Sequence, residues 1–320
     1  MRALRLILLL LACAFATGAA AQYPDKPIRL IVPQAAGSAT DTVARILSAE
    51  LGKEFGQQIV VDNRPGGALT IGLDLTAKAE PDGYTLCMGP IGALAITRHM
   101  VAKLPYDIER DFQPIALATR GHLLLAVSPT LPFKSVQEVI DYAKGHPGKL
   151  LNASSSNGSP GHVGGELFKY MSGTDIVHVP YRGGGPAVMG LLTGDVDIFI
   201  NDASTTVENI HAGKLKALAV AASKRSPLLP QVPTFAELGF PAVVSSSWFG
   251  LAAPANAPAD VTGTLAAAMP PVFASASYQA GLQKLGLEQF SLSPEQSAAF
   301  IKAEFDRWAE VARSAGIQVD

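Results

Sequence analysis

Along this chain, short apolar runs alternate with stretches whose apolar residues recur every three or four positions, and the two periods predict strands and helices in turn. Ile28 to Val32 reads as a strand; Val43, Ile46, Leu47 and Leu51 then repeat at helical spacing until Gly56. Ile59 to Val61 is the next strand, Arg64 to Gly67 a turn, and Ala68 to Ala79 a helix expected to turn Ile71 and Leu75 inward. Pro81-Asp82-Gly83 leads into the strand Tyr84 to Met88. The same grammar resumes after Leu123 to Val127. Ser135-Val136-Gln137-Glu138 is a capping box, in which a serine and a glutamate three residues on satisfy the free amides of a helix start, and that helix runs to Gly145. Leu150 to Ala153, Val177 to Val179, Val196 to Ile200, Ala217 to Ala221 and Trp248 to Ala253 are strands, with a helix from Gly161 to Met171. Thr234 to Glu237 reads as a second capping box. The tail from Ala259 is mostly helical and closes with Ser293-Pro294-Glu295-Gln296 and the series Phe300, Ile301, Phe305 and Trp308.

Strands that alternate with helices predict an α/β fold whose parallel sheets are covered by helices. The first 21 residues stand outside it: Arg2 and Arg5 precede the apolar run Leu6 to Phe15, and small residues follow at Gly18 to Ala21. That is the pattern of a secretory signal peptide cleaved near Ala21/Gln22, which implies export to the periplasm. The rival reading, a lipid anchor at Cys13, is disfavoured because only seven apolar residues (Leu6 to Ala12) precede that cysteine. The run is also too short for a permanent span, which takes roughly 20 apolar residues. Cleavage removes two arginines and no acid, moving the net charge from −2 to −4, and an acidic chain argues against a nucleic-acid partner. Cys87 alone remains, so no disulfide or thiolate metal site forms within a monomer. The remaining length exceeds a usual single core, and two lobes are expected.

Three loops lie beyond the carboxyl ends of strands and before helix starts, where open parallel sheets bind ligands. The first, Pro33 to Asp41, contains Gln34, Ala36, Gly37, Ser38, Ala39, Thr40 and Asp41. Its small residues let backbone amides approach a carboxylate with no Lys or Arg required, and Thr40 or Asp41 can cap the following helix. The second, Ser154 to His162, offers Ser156, Asn157, Gly158, Ser159 and His162. The third, Pro180 to Pro186, adds Tyr181, Arg182 and Gly184. Pro90, Ile91 and Asp202, just past predicted strands, complete the candidate ligand contacts. Arg120, ahead of Leu123 to Val127 where the chain is expected to cross between lobes, could aim a guanidinium at a second carboxylate from the cleft floor, or lie solvated on the outer face.

Catalytic and cofactor motifs fit poorly. Ser159 has Asn157 rather than Gly two residues before it, so a nucleophile elbow is incomplete. Gly148-Lys149 is followed by Leu150, not Ser or Thr, and Gly183 to Gly185 lack the third glycine of a dinucleotide fingerprint. His162 and Glu166 stand four apart without a third partner, which favours a capped helix start over a metal site. No cofactor and no metal are expected.

The residues resemble a known family, the extracytoplasmic receptors of tripartite tricarboxylate transporters, also called Bug receptors. Similarity is carried by Tyr23 to Pro33, Asp41, Ala44-Arg45, Val60 to Gly67, Ile71-Gly72, Pro81 to Leu86, Leu104 to Asp107, Gly158-Ser159, His162, Val179 to Gly183 and Gly194 to Asp197. The resemblance implies a bilobed type II periplasmic-binding-protein fold with two open, mostly parallel sheets, its first and second loops gripping a carboxylate from opposite lobes. Residues 22–122 and 252–320 would form lobe 1 and 123–251 lobe 2, with hinge crossings near 120–127 and 247–253. The family usually carries an aromatic, Ala, Pro and two Gly in the first loop, where Gln34, Ala36 and Ser38 depart from the pattern. The implied function is a monomeric, non-catalytic receptor that captures a small organic carboxylate, a dicarboxylate or an aromatic acid, and delivers it to the membrane subunits of a tripartite transporter. A ligand sensor for a signalling partner and a hydrolase built on Ser159 are the competing readings.

Overall fold

The computed structural model describes residues 23–101, 103–241, 243 and 246–314. The predicted signal peptide, with Cys13, lies outside them. In chain order the elements are β1 (Ile28–Val32), α1 (Ala39–Phe55), β2 (Ile59–Asn63), α2 (Thr70–Ala77), β3 (Thr85–Pro90), α3 (Ile108–Asp111) and β4 (Phe112–Val127). There follow α4 (Val136–Gly145), β5 (Leu151–Ser154), α5 (Pro160–Ser172), β6 (Val177–Pro180), α6 (Gly184–Thr193), β7 (Ile198–Asp202), α7 (Val207–His211) and β8 (Lys216–Ala221). The chain ends with β9 (Ser246–Pro254), α8 (Ala259–Ala274), α9 (Ala276–Lys284), β10 (Glu288–Leu292) and α10 (Pro294–Ser314).

The fold has two lobes. In the first, β1 pairs in parallel with β2 and β3, and β3 continues antiparallel to β9. In the second, β5 pairs in parallel with β6 and β7. The sheets are therefore mixed rather than mostly parallel, because β4 runs antiparallel to its partners in both. β4 is longer than the five-residue run its apolar pattern predicts. It pairs with β9 as far as His122↔Ser246 and with β7 from Leu123↔Asp202, so the register passes from one sheet to the other between adjacent residues. β9 pairs with β4 along its whole length, from His122↔Ser246 to Phe112↔Pro254, and with β3 over Phe249 to Ala252.

Each sheet is packed on both faces. Val43, Leu47 and Leu51 of α1 bury against Ile28, Leu30 and Val32, as their spacing predicts. In the second lobe Leu123, Leu125, Ile198 and Ile200 face α4 and Phe168, while Leu124, Phe199 and the α6 residues Ala187 and Leu191 fill the other face. α2 differs from expectation: Ile71 and Leu75 are exposed, and Leu69 and Leu73 are buried. Ala68 and Leu69 adopt left-handed backbone (φ 51° and 75°), which resets the helix start. Gly72 then lies so close to Pro33 that a Cβ there would come within 2.9 Å of its Cα. Ser135 caps α4 as read, and Ser293 accepts from the Gln296 amide at the start of α10. The box at Thr234 and Glu237 forms both reciprocal bonds but closes a turn, not a helix.

Candidate functional site

The three loops meet where the lobes face each other. Gly183 and Gly185 lie against the first loop: a Cβ on Gly183 would be 3.4 Å from the Ala35 nitrogen, and one on Gly185 2.9 Å from the Gly37 carbonyl oxygen. The Ala35 amide donates across this contact to the Arg182 carbonyl at 2.9 Å. On the other side, the second loop touches the buried turn after β3. A Cβ on Gly92 would approach the Gly158 carbonyl oxygen to 3.0 Å, and Val163 of α5 packs among Leu69, Ile91 and Trp248 of the first lobe.

Within the first loop the helix cap is Ser38, not Thr40 or Asp41. Its extended backbone aims Oγ at the Asp41 amide, 3.2 Å away. Asp41 instead accepts from the Gly37 amide, from Asn63 Nδ2 and from the Arg45 guanidinium. Burial opposes ionisation of Asp41, yet the bonds from Arg45, Gly37 and Asn63 outweigh it and hold its pKa below the ordinary value. Thr40 Oγ1 donates to Gln34 Oε1, and the Gln34 carbonyl accepts from Asn63, so the loop is cross-braced by its own polar groups. Ala39 is buried behind it, whereas Ala36 and Gly37 are exposed.

The second loop repeats the device. Ser159 caps α5 by accepting from the His162 amide at 3.2 Å, and Gly158, in left-handed backbone, donates its amide to His162 Nδ1. His162 is thus not aimed at the Ser159 hydroxyl as a base would be. Its ring stacks on His178 of β6, centroids 3.9 Å apart and planes 16° from parallel. Burial, then the neighbouring Lys169 charge, lowers the His162 pKa to about 4; burial, then His162 and Lys169, lowers that of His178 to about 3. His178 Nε2 meets the Ser154 hydroxyl, which in turn donates to the Ser156 carbonyl, so the pair braces the loop from beneath. Glu166 is held by Lys169 at 2.9 Å rather than by His162. Among the described residues no group of three or more His, Cys, Asp or Glu could hold a metal ion.

Between the starts of α5 and α6 lies Asn201, fully buried at the end of β7, with neither Nδ2 nor Oδ1 hydrogen-bonded. A Cβ on Gly161 would stand 3.1 Å from its Oδ1 and one on Gly184 3.1 Å from its Nδ2. The Ser156 hydroxyl is likewise buried and unpartnered. Buried polar groups are paired in the great majority of proteins, so Asn201, set against the two helix starts, forms a cradle with hydrogen-bonding capacity to spare. The sequence reading passed over His178 and Asn201. Their only signal was a polar residue inside an apolar strand, Val-His-Val and Phe-Ile-Asn.

Other predicted residues have different partners. The Tyr181 hydroxyl packs on Gly190 of α6, where a Cβ would be 2.2 Å away. Pro90 is a strand residue paired with Phe249, and Ile91 is buried core. Asn157 sits in the loop without a side-chain bond to the cradle. Arg120 is ion-paired with Glu288 at 3.0 Å and lies over the Phe290 ring, so its guanidinium is occupied by this chain's own carboxylate rather than turned to the cleft. Asp202, buried at the end of β7, faces Ser247 of β9.

A sequence profile described as the tripartite tricarboxylate transporter family receptor matches residues 43–317. The chain is 36% identical to Protein BugT of Bordetella pertussis over 298 residues, 93% of this chain and 91% of that one. Among solved structures it resembles Rpa4515 of R. palustris with adipate (TM-score 0.89, 36% identity, 92% of this chain and 99% of that one). It also resembles MatC of Rhodopseudomonas palustris with bound malate (TM-score 0.86, 33% identity, 90% and 99%). The loops meeting across two lobes, the amide-rich cradle and these likenesses converge: the chain belongs to the tripartite tricarboxylate transporter receptor family, whose members are solute-binding receptors.

Proposed function

We propose that this protein is a periplasmic receptor that closes over a small organic carboxylate and passes it to the membrane subunits of a tripartite transporter, acting as a monomer and without catalysis of its own. The observation that carries the reading is Asn201: a fully buried amide with both polar atoms free, set against glycines at the first turns of two helices. Helix starts present unpaired N–H groups and favour an anion. Ser159 is engaged as a helix cap, which supports binding over nucleophilic attack. The adipate and malate held by structural relatives support the ligand class.

In this reading the described residues of 23–122 and 246–314 move as one lobe and those of 123–243 as the other, hinged where β4 changes sheets. The test is thermal unfolding of the mature protein against a panel of mono-, di- and aromatic carboxylates. A ligand of the folded state stabilises by about 2.7 kcal/mol at a hundredfold excess over Kd, and the bound acid should be recovered unchanged. A panel in which no acid raises the midpoint, or recovery of a cleaved ligand, overturns the proposal.

A further inference from the structure

The joint between the first and third loops carries an excess of guanidinium charge. Arg182, in the third loop, gives its carbonyl to the Ala35 amide and leaves its side chain exposed, with no ion pair among the described residues. On the first-loop side, Asp41 accepts from the Gly37 amide at 2.9 Å and from Arg45, and it is the Gly37 carbonyl that faces Gly185. Arg45 also reaches Asn63 Oδ1 at 3.3 Å, and the next residue, Arg64, shares Asp62 with Arg29. Four guanidiniums therefore face two carboxylates, and the carboxylates are turned inward. The Asp41 side chain is 4% exposed and that of Asp62 22%, against 55% for Arg45, 49% for Arg64 and 43% for Arg29.

The outer surface here is thus positive on a chain whose net charge is −2. The acids that flank the third loop in sequence, Asp175 and Asp195, lie before β6 and beyond α6, at the ends away from the joint. α6 alone spans about 15 Å at 1.5 Å per residue, past the Debye length of about 10 Å at 0.1 M salt. We propose that this arginine rim steers anionic ligands into the cleft, setting how fast a carboxylate arrives while the neutral cradle sets how firmly it is held; this rests on the carboxylate reading above. A rim charge acts through solvent at range, so it raises the encounter rate and fades as salt shortens its reach, whereas a contact made in the closed site acts on dissociation. Arg182 is the sharpest case, because no carboxylate of the described residues neutralises it.

The test is stopped-flow measurement of association and dissociation rates for succinate, adipate and benzoate with the mature protein at 50 mM and 500 mM salt. A dianion should associate with wild type about fivefold faster at low salt than at high salt, and a monoanion about twofold. Arg182→Gln should slow dianion association about threefold at low salt and Arg182→Glu about eightfold, with dissociation within about twofold of wild type and no difference left at high salt. Lys149→Gln removes the same charge from an exposed site before β5, at the end of that strand away from the cradle, and should leave both rates as in wild type. Association that ignores salt in wild type, unchanged association in Arg182→Glu, or equal slowing by Arg182→Gln and Lys149→Gln overturns the inference and leaves the carboxylate reading standing. An Arg182→Gln effect confined to dissociation also overturns it, since Arg182 would then touch the bound ligand. Failure of every acid to bind removes both readings.

Discussion

The amide of Ala35 donates to the carbonyl of Arg182 across 2.9 Å, joining the loop after β1 to the loop after β6. If, as proposed, one loop belongs to each lobe, this bond would form only with the lobes shut. Gly185 allows it by its missing side chain, which lets the first loop approach the third, and Gly183 by a backbone at φ 151° that suits glycine. In a receptor that traps its ligand by closing, such a contact couples the closed state to binding.

Gly185→Ala tests that coupling. The new methyl would stand 2.9 Å from the Gly37 carbonyl oxygen, a backbone atom that cannot swing aside, whereas the open form gives it room. Gly185 has ordinary helical backbone, so the lobe itself should keep its stability. Ligand affinity should fall by about tenfold, equivalent to about 1.4 kcal/mol, and small-angle scattering with ligand should show a larger radius of gyration than wild type. Unchanged affinity would show that the lobes can shut without this contact.

Asp41 is a brace of the first loop, with both carboxylate oxygens engaged by Gly37, Asn63 and Arg45. Asp41→Ala leaves those donors short of an acceptor and should cost about 1 to 3 kcal/mol. Ser38→Ala, which removes only the cap, should cost about 1 kcal/mol. The double variant should lose less than the sum, since both residues secure one turn. Urea unfolding measures all three; an Asp41→Ala midpoint equal to wild type would sink the assignment.

The loops were legible in the sequence because punctuation and chemistry coincide there: a strand ends, small polar residues follow, and a helix begins. Asn201 and His178 were not, since one polar residue in a short apolar run fits an edge strand as well as a cradle, and only packing against Gly161 and Gly184 or against His162 decides. β4 was read too short because Gln113, Pro114, Arg120 and His122 interrupt its apolar pattern, yet a strand flanked on both edges is held by its backbone pairing. α2 was turned the wrong way because a helical period fixes the spacing of a face, not its direction. That direction was set by the left-handed Ala68 and Leu69.

The His162–His178 stack sets an acid limit on stability. Both folded-state pKa values lie below the ordinary 6.5, at about 4 and about 3, so the unfolded chain binds protons first as pH falls. Their contribution is complete above about pH 6.5 and is lost progressively as pH drops toward those values, at up to about 1.4 kcal/mol per unit of separation. Asp202 works with the opposite sign: its raised pKa means that stability declines as pH rises from its ordinary 3.8 through about 6. Urea titrations from pH 4.5 to 7.5 should show a shallower acid limb in His162→Gln/His178→Gln, and a greater gain at pH 7.5 than at pH 4.5 in Asp202→Asn. Limbs parallel to wild type in both variants would refute the account.

Arg120 separates two ways of recognising a diacid. A guanidinium in the cleft floor would clamp a second carboxylate, and its removal would abolish any preference for a diacid over the matching monoacid. The structure instead gives Arg120 to Glu288, at 3.0 Å, and to the face of Phe290, its centroid 4.9 Å from the guanidinium carbon. Both charged side chains are 46% exposed, so the pair is solvent-screened and worth about 0 to 1 kcal/mol. Arg120→Met should therefore shift the unfolding midpoint only slightly, its long apolar stem still covering Phe290. Calorimetric titration with a diacid and its monoacid should give the same affinity ratio in Arg120→Met as in wild type. A ratio that collapses in the variant would mean that Arg120 leaves Glu288 for the ligand when the lobes close, and the surface assignment would then be wrong.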